Sequence, residues 1–340
     1  MSMDYLRLKN HLDKFLPVYV TVSMLLGFLV GLHINVEKYK GTFHWINLAV
    51  VISMIYPMMI NLRLGELKNS MKQGKQLAIG LTMGLVVAPI LMWFLIWLIG
   101  LFYPLSPQLA LGLMLAMVVP CSSMSIAYTG FSRGNLELAT IIVAFSFILA
   151  IITVPGWLAI YAASSNVSVP TMLLVITIIE VVFVPMFFGI ITREALIRKK
   201  GTEGFLKIKP LFPAISLIGM YTIVFLIFME KAKLIAKKPE MVLIALVPLI
   251  LYYLISLGLL TYLNRILGIR YRDHMAITFP SVGKNEGTAM AIAMSAGMGL
   301  MAIPPAVTPL IQIPFLVGYV KAWSKIAKMW HCKPEEEIKE

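Results

Sequence analysis

Two short polar stretches interrupt apolar sequence, and they hold the residue types best suited to chemistry. The first is Pro120-Cys121-Ser122-Ser123 within LMLAMVVPCSSMSIAYTG. The second is Lys284-Asn285-Glu286 within HMAITFPSVGKNEGTAMAIAMSAG. Cys121 directly follows Pro120, close to where a helix would resume after the break. The positive end of a helix dipole stabilises a thiolate there, the form that binds soft metals and metalloids. The alternative is a buried cysteine that packs as a small hydrophobe. Ser122 and Ser123 are either further oxygen ligands or caps on the half-helix. Lys284 and Glu286 place two charges where each costs about 2.5–3.5 kcal/mol near a bilayer centre. They imply a polar cavity and act either as a structural ion pair or as groups that meet a substrate or coupling ion. A buried carboxyl beside an ammonium makes Glu286 a candidate proton carrier, with Asn285 shaping the cavity.

Other reactive residues carry less. Glu180 is an isolated carboxyl in an apolar segment, functional or bonded to a neighbouring helix. His331 and Cys332 form half a metal site in a tail, PEEEIKE, that reads as solvated. The 23 methionines show no repeated spacing that would suggest copper. The VGKNEG segment has asparagine after its lysine, so it is not a phosphate-binding loop and ATP hydrolysis is not expected. No paired aspartates or HExxH motif points to an intramembrane enzyme, and no cofactor is expected.

Positioning such residues requires elements that the composition specifies. Hydrophobic residues make up 59% of 340 and charged residues 13%. A bilayer-crossing helix takes about 20 predominantly apolar residues, so the chain has material for about ten spans and little else. The apolar runs are 15–33, 45–62, 77–103, 109–131, 136–162, 170–192, 208–229, 241–263, 274–300 and 305–328. The first continues to His33 without a small-residue cleavage pattern and reads as a retained span. The expected fold is an all-α membrane protein of ten transmembrane helices in a single domain over 1–340, with a polar tail at 329–340. The net charge of +13 lies at span ends rather than on a basic face suited to nucleic acid. Lysines and arginines crowd the N-terminus, 63–76, 193–209, 265–272 and the tail, against 38–40 and 231–238 on the other side. That asymmetry puts both termini in the cytoplasm.

The two halves resemble each other at a separation of about 160 residues: Pro57 with Pro213, Pro89 with Pro248, Pro120 with Pro280, and Pro155 with Pro314. Around one pair, PILMWFLI matches PLILYYLI with its aromatics in register. Repeats over about 1–165 and 166–328 would hold five spans each. The odd number makes the second copy enter from the opposite side, giving inverted repeats. The matched interrupted segments are then the fourth and ninth spans, broken at Pro120 and Pro280, because proline removes a backbone donor and disfavours helix in its predecessor. The resumed half-helices would turn unpaired N–H groups towards the centre, as donors to an oxyanion or a hydroxyl.

The segments YPMMINLRLGEL, VPCSSMSIAYTGFSRGNLELA and KNEGTAMAIA resemble the bile acid/arsenite/riboflavin transporter superfamily over all ten spans. Pro120, Cys121 and Met124 resemble the Pro-Cys-x-x-Met motif of its arsenite permease family. That resemblance implies panel and core domains, the core rocking against the panel and containing the crossed fourth and ninth spans. It implies export of arsenite, and of antimonite, in exchange for protons. Cys121 would bind the metalloid, Glu286 would carry the proton, and no soluble ATPase partner would be needed. The sodium-ligand positions of the bile-acid branch hold Ile126, Ala139, Val143 and Pro280 here, leaving Ser125 as a plausible ligand. Lys284 stands where that branch has glutamine, so a fixed ammonium would replace the cation. Glu286 also lies one residue earlier than the arsenite branch's glutamate, with Gly287 in the usual place. The alternative expectation is an organic-anion transporter, with Lys284 and the half-helix ends holding a carboxylate. A receptor or scaffold fits buried charge poorly.

Overall fold

A computed structural model describes residues 2–34, 36, 40–61, 73–165, 172, 176–177, 179–296 and 299–330. The expected tail with His331 and Cys332, residues 62–72 and most of 166–178 at the start of the sixth expected span lie outside these residues. The described chain is all helical, without a sheet. In order, its helices are α1 (Ser2–Lys14), α2 (Leu16–His33), α3 (Lys40–Ile60) and α4 (Gly74–Gly100, with a π turn at Met83–Val87). Then come α5 (Pro107–Val118), α6 (Met124–Phe131), α7 (Leu136–Ser164), α8 (Val184–Ile208), α9 (Leu211–Lys237) and α10 (Glu240–Ile266). The last are α11 (Tyr271–Val282), α12 (Glu286–Ser295), α13 (Gly299–Lys321) and α14 (Trp323–Met329). Among the described residues, seven of them are long and apolar enough to cross a bilayer: α2, α3, α4, α7, α9, α10 and α13. The chain is a multi-pass membrane protein.

The helices sort into two compact units, each drawn from three stretches of sequence and from both halves of the chain. The first comprises Met1–Leu62, Ser168–Leu243 and Gly287–Leu310. Its packing uses the device expected where neither partner gains by leaving water: small residues let backbones touch. Gly27 and Gly31 of α2 abut α9 so closely that a Cβ would lie 2.2 Å from the Phe225 carbonyl oxygen and 2.1 Å from that of Met229. Gly219 meets Met54 and Gly189 meets Met59 in the same way. Two polar pairs cross between helices of the unit, Asn47 donating to Glu230 (2.8 Å) and Tyr56 bonding Thr192 (2.6 Å). Glu180, set in a π turn at Ile179–Phe183, is exposed rather than bonded into the interior.

The second unit comprises Arg63–Val167, Ile244–Glu286 and Ile311–Glu340. Within it α5 is buried on every face from Leu109 onward, as expected of a helix that is apolar all round, and α11 is buried from Asp273 onward although it carries Asp273 and His274. Helix ends here are closed locally. Ser106 caps α5 with Pro107 in the first turn, and Asn135 caps α7 by accepting from the Leu138 amide. After α10, Gly268 at φ 64° permits a paired closure, with Ile269 N–H to Asn264 C=O (2.9 Å) and Gly268 N–H to Arg265 C=O (3.2 Å). Arg133 takes the same left-handed conformation after α6 (φ 59°), its guanidinium 4.7 Å from the centre of the Trp323 ring.

Candidate functional site

The second unit brings the two interrupted stretches together. Val119 precedes a proline and is extended (ψ 156°), so α5 stops one turn short of Cys121. The chain crosses in Pro120–Ser123 before α6 begins. On the other strand Pro280 lies inside α11, and the helix runs on to Val282 before breaking at Gly283, which is extended (ψ 103°). The expected break at Pro280 is therefore displaced toward the C-terminus. Losing one N–H did not end the helix; a close approach did. A Cβ on Gly283 would stand 2.7 Å from Ser125 Oγ and 2.9 Å from the Phe279 carbonyl oxygen, so only glycine fits.

The two crossings pair as one antiparallel bridge, Cys121 opposite Lys284. Ser122 N–H donates to Gly283 C=O (2.9 Å) and Asn285 N–H to Pro120 C=O (3.0 Å). Gln312 of α13 completes the joint. Its Oε1 accepts from the Lys284 amide (2.7 Å) and from the Tyr253 hydroxyl (2.7 Å), and its Nε2 donates to the Lys284 carbonyl (3.1 Å). The four amides of the crossing itself, those of Cys121, Ser122, Lys284 and Asn285, thus already have partners.

What remains for chemistry is side chains. Cys121 is 3% exposed, and its sulfur lies 2.9 Å from Ser146 Oγ of α7. Ser146 gives its one hydrogen to the Val143 carbonyl (2.7 Å) and also accepts from the Cys121 amide (3.2 Å). The thiol is therefore the donor in the sulfur contact. Ser122 Oγ accepts from the Met124 amide (3.3 Å), so it is this serine that acts as the cap, while Ser123 makes no cap and is exposed. Ser125 is buried and spent on the Phe279 carbonyl (3.0 Å).

Lys284 is 1% exposed, and its ammonium donates to the Gly84 carbonyl in the π turn of α4. That acceptor is free for a local reason. The Ala88 amide bonds back to Met83 across the π turn, and Pro89 has no N–H to offer either Gly84 or Leu85. The Lys284 ammonium takes the first carbonyl, and the Trp157 indole takes the second (2.8 Å). Asn285 is buried, and Glu286 opens α12 with its Oε1 buried and without a hydrogen-bond partner. Among the described residues no ion pair includes Lys284 or Glu286, and no three His, Cys, Asp or Glu side chains cluster as a metal site. Sequence reasoning missed Ser146, Gly84, Gly283 and Gln312. The one available signal was Gln312, a lone amide in an apolar span.

A sequence profile described as the Sodium Bile acid symporter family matches residues 48–238. The arsenical-resistance protein Acr3 of Corynebacterium glutamicum is 25% identical over 331 residues, covering 92% of this chain and 89% of that protein. An uncharacterized transporter of Synechocystis is 24% identical over 96% of this chain and 92% of its own length. The arsenical-resistance protein Acr3 of Alkaliphilus metalliredigens is 22% identical over 70% of each. The chain belongs to the sodium bile acid symporter family, and it is a transporter rather than an enzyme.

Proposed function

We propose that the chain is a secondary active transporter of the cell membrane that exports arsenite, with antimonite as a second substrate, in exchange for protons. The observation that carries this reading is a buried thiol at the crossing of two broken helices, held by one serine hydroxyl. Binding follows by exchange: the Cys121 S–H and arsenous acid form an S–As bond, one As–O bond breaks, and the thiol proton leaves with hydroxide as water. A single sulfur ligand makes this readily reversible, which transport requires. The open carboxyl of Glu286 carries the exchanged proton, and Lys284 and Asn285 shape the cavity. The ammonium already occupies the Gly84 carbonyl as a fixed cation, which supports export without sodium, and proton exchange as the driving force leaves no role for an ATPase partner. The names of two relatives, arsenical-resistance proteins, support the substrate.

The architecture that suits this function is ten spans in inverted five-helix repeats with panel and core domains. The seven long helices, the broken pairs α5–α6 and α11–α12, and the stretch ending in α8 supply ten segments. Both termini then face the cytoplasm.

A second reading, an organic-anion transporter, is favoured by one observation: the Lys284 ammonium has no acidic partner among the described residues. Arsenite accumulation in everted vesicles, with and without a proton gradient, separates the two. Cys121→Ser is expected to abolish arsenite transport and resistance in a sensitive host. Undiminished transport by that variant would overturn the metalloid reading and favour the anion.

A further inference from the structure

Away from the helix crossing, a groove of about 350 Å³ opens in the second unit between the C-terminal half of α10, Tyr319 of α13 and Met329 of α14. Leu257, Gly258 and Thr261 form one wall, and Arg265 stands a turn further along the same helix. Two of the three wall hydroxyls, those of Thr261 and Tyr319, are already committed, while that of Tyr262 is exposed. Thr261 Oγ1 donates to the Leu257 carbonyl (2.6 Å) and accepts from the Tyr319 hydroxyl (2.6 Å). Tyr319 in turn accepts from His274 Nε2 (2.9 Å), whose other nitrogen is occupied by the Asn264 amide (3.0 Å). With Thr261 and Tyr319 bonded to each other and the remaining lining mostly apolar side chain, the walls suit an apolar ligand body. At the end of the groove the Arg265 guanidinium is exposed and makes no hydrogen bond or ion pair among the described residues. Gly258 leaves the floor open, since a Cβ there would meet nothing within 4 Å.

An apolar channel ending at a free guanidinium, on a helix face that carries exposed Leu254, Ile255, Tyr262 and Ile266, fits one kind of molecule. We infer that this groove is a binding site for an anionic glycerophospholipid, with an acyl chain lying over Gly258 and the phosphate at Arg265. The Thr261–Tyr319–His274 chain behind it places the bound lipid against α11, the half-helix that ends at the Lys284 break.

Native mass spectrometry of the full-length protein in mild detergent tests this, using phosphatidylglycerol and phosphatidylcholine of identical acyl chains. Wild type is expected to retain one phosphatidylglycerol with about fivefold preference over phosphatidylcholine, the contribution of one basic residue at a membrane surface. Arg265→Gln should remove the preference while leaving chain binding. Gly258→Phe should remove retention of both lipids. Gly156→Phe on α7, where a Cβ also meets nothing within 4 Å, should leave retention unchanged. Equal retention of both lipids by wild type, unaltered retention by Gly258→Phe, or displacement of phosphatidylglycerol by millimolar inorganic phosphate would each overturn the assignment. Should Gly258→Phe not fold, the Arg265→Gln comparison decides alone.

Discussion

Replacing Gln312 with leucine removes the amide that ties α13 to the helix crossing. Gln312 is 5% exposed, and its three bonds go to the amide and carbonyl of Lys284 and to the Tyr253 hydroxyl. Lys284 and Tyr253 are buried as well, so water cannot take over. Each orphaned group costs about 1–3 kcal/mol, giving roughly 3–9 in all. Removing a buried amide and packing leucine returns about 1–3 kcal/mol. Taking the middle of each range, the expected net loss is about 4 kcal/mol. Tyr253→Phe is the internal control: it deletes one bond and leaves Gln312 Oε1 with its Lys284 donor, for about 0.5–1.5 kcal/mol. Unfolding of the purified protein in mixed micelles, followed by tryptophan fluorescence, would measure both. In the double variant the Tyr253 change should cost nothing, because its hydroxyl has already lost its acceptor. If Gln312→Leu proves no more damaging than Tyr253→Phe, the amide does not hold the crossing and the reasoning fails.

Ser146→Cys should place a second thiol against Cys121, letting trivalent arsenic bind through two sulfurs; affinity measured by equilibrium dialysis should rise at least about tenfold while efflux slows. Unchanged affinity would mean that Ser146 does not face the metalloid. Gly283→Ala forces a methyl to 2.7 Å from Ser125 Oγ and 2.9 Å from a backbone oxygen, and should cost about 1–3 kcal/mol in the same unfolding assay; a wild-type transition would contradict the close approach. Gly31→Ala drives a methyl into the Met229 carbonyl and should likewise destabilise α2 against α9 by about 1–3 kcal/mol, whereas Gly41→Ala, with open space, should be neutral by the same measurement.

The positions of the helices were legible because the bilayer leaves few options: long apolar runs become α2, α4, α7 and α10 within a few residues of their expected bounds, whereas α9 runs eight residues past its expected end, to Lys237. The break at Pro120 was legible too, since a proline acts on its own predecessor, and Val119 is extended for that reason. Pro280 shows the limit of the rule. Its helix ends where Gly283 must pass Ser125, a contact between residues far apart in sequence. Cys121 and Lys284 could be named as residues of interest from their types alone. Their partners could not, because the bonds to Ser146, Gln312 and Gly84 span 25, 28 and 200 residues. The Gly84 carbonyl in particular becomes an acceptor only through a π turn that no propensity announces.

The fate of the backbone at the crossing bears directly on what the site can select. An oxyanion site at broken helices works by unpaired amides aimed at the ligand. Here the amides of Cys121, Ser122, Lys284 and Asn285 are all bonded to protein, through Ser146, Gly283, Gln312 and Pro120. An anion arriving at this crossing would meet the Lys284 ammonium, which is already shared with Gly84. Arsenous acid is uncharged and carries three hydroxyls, so it asks for no cluster of donors. It needs a sulfur to exchange with and an acceptor for a hydroxyl proton, the roles that the proposed function gives to Cys121 and the open Oε1 of Glu286. On the proposed function, a bonded crossing also keeps that thiol in one place, and selection for the soft element would rest on one atom that a single substitution removes.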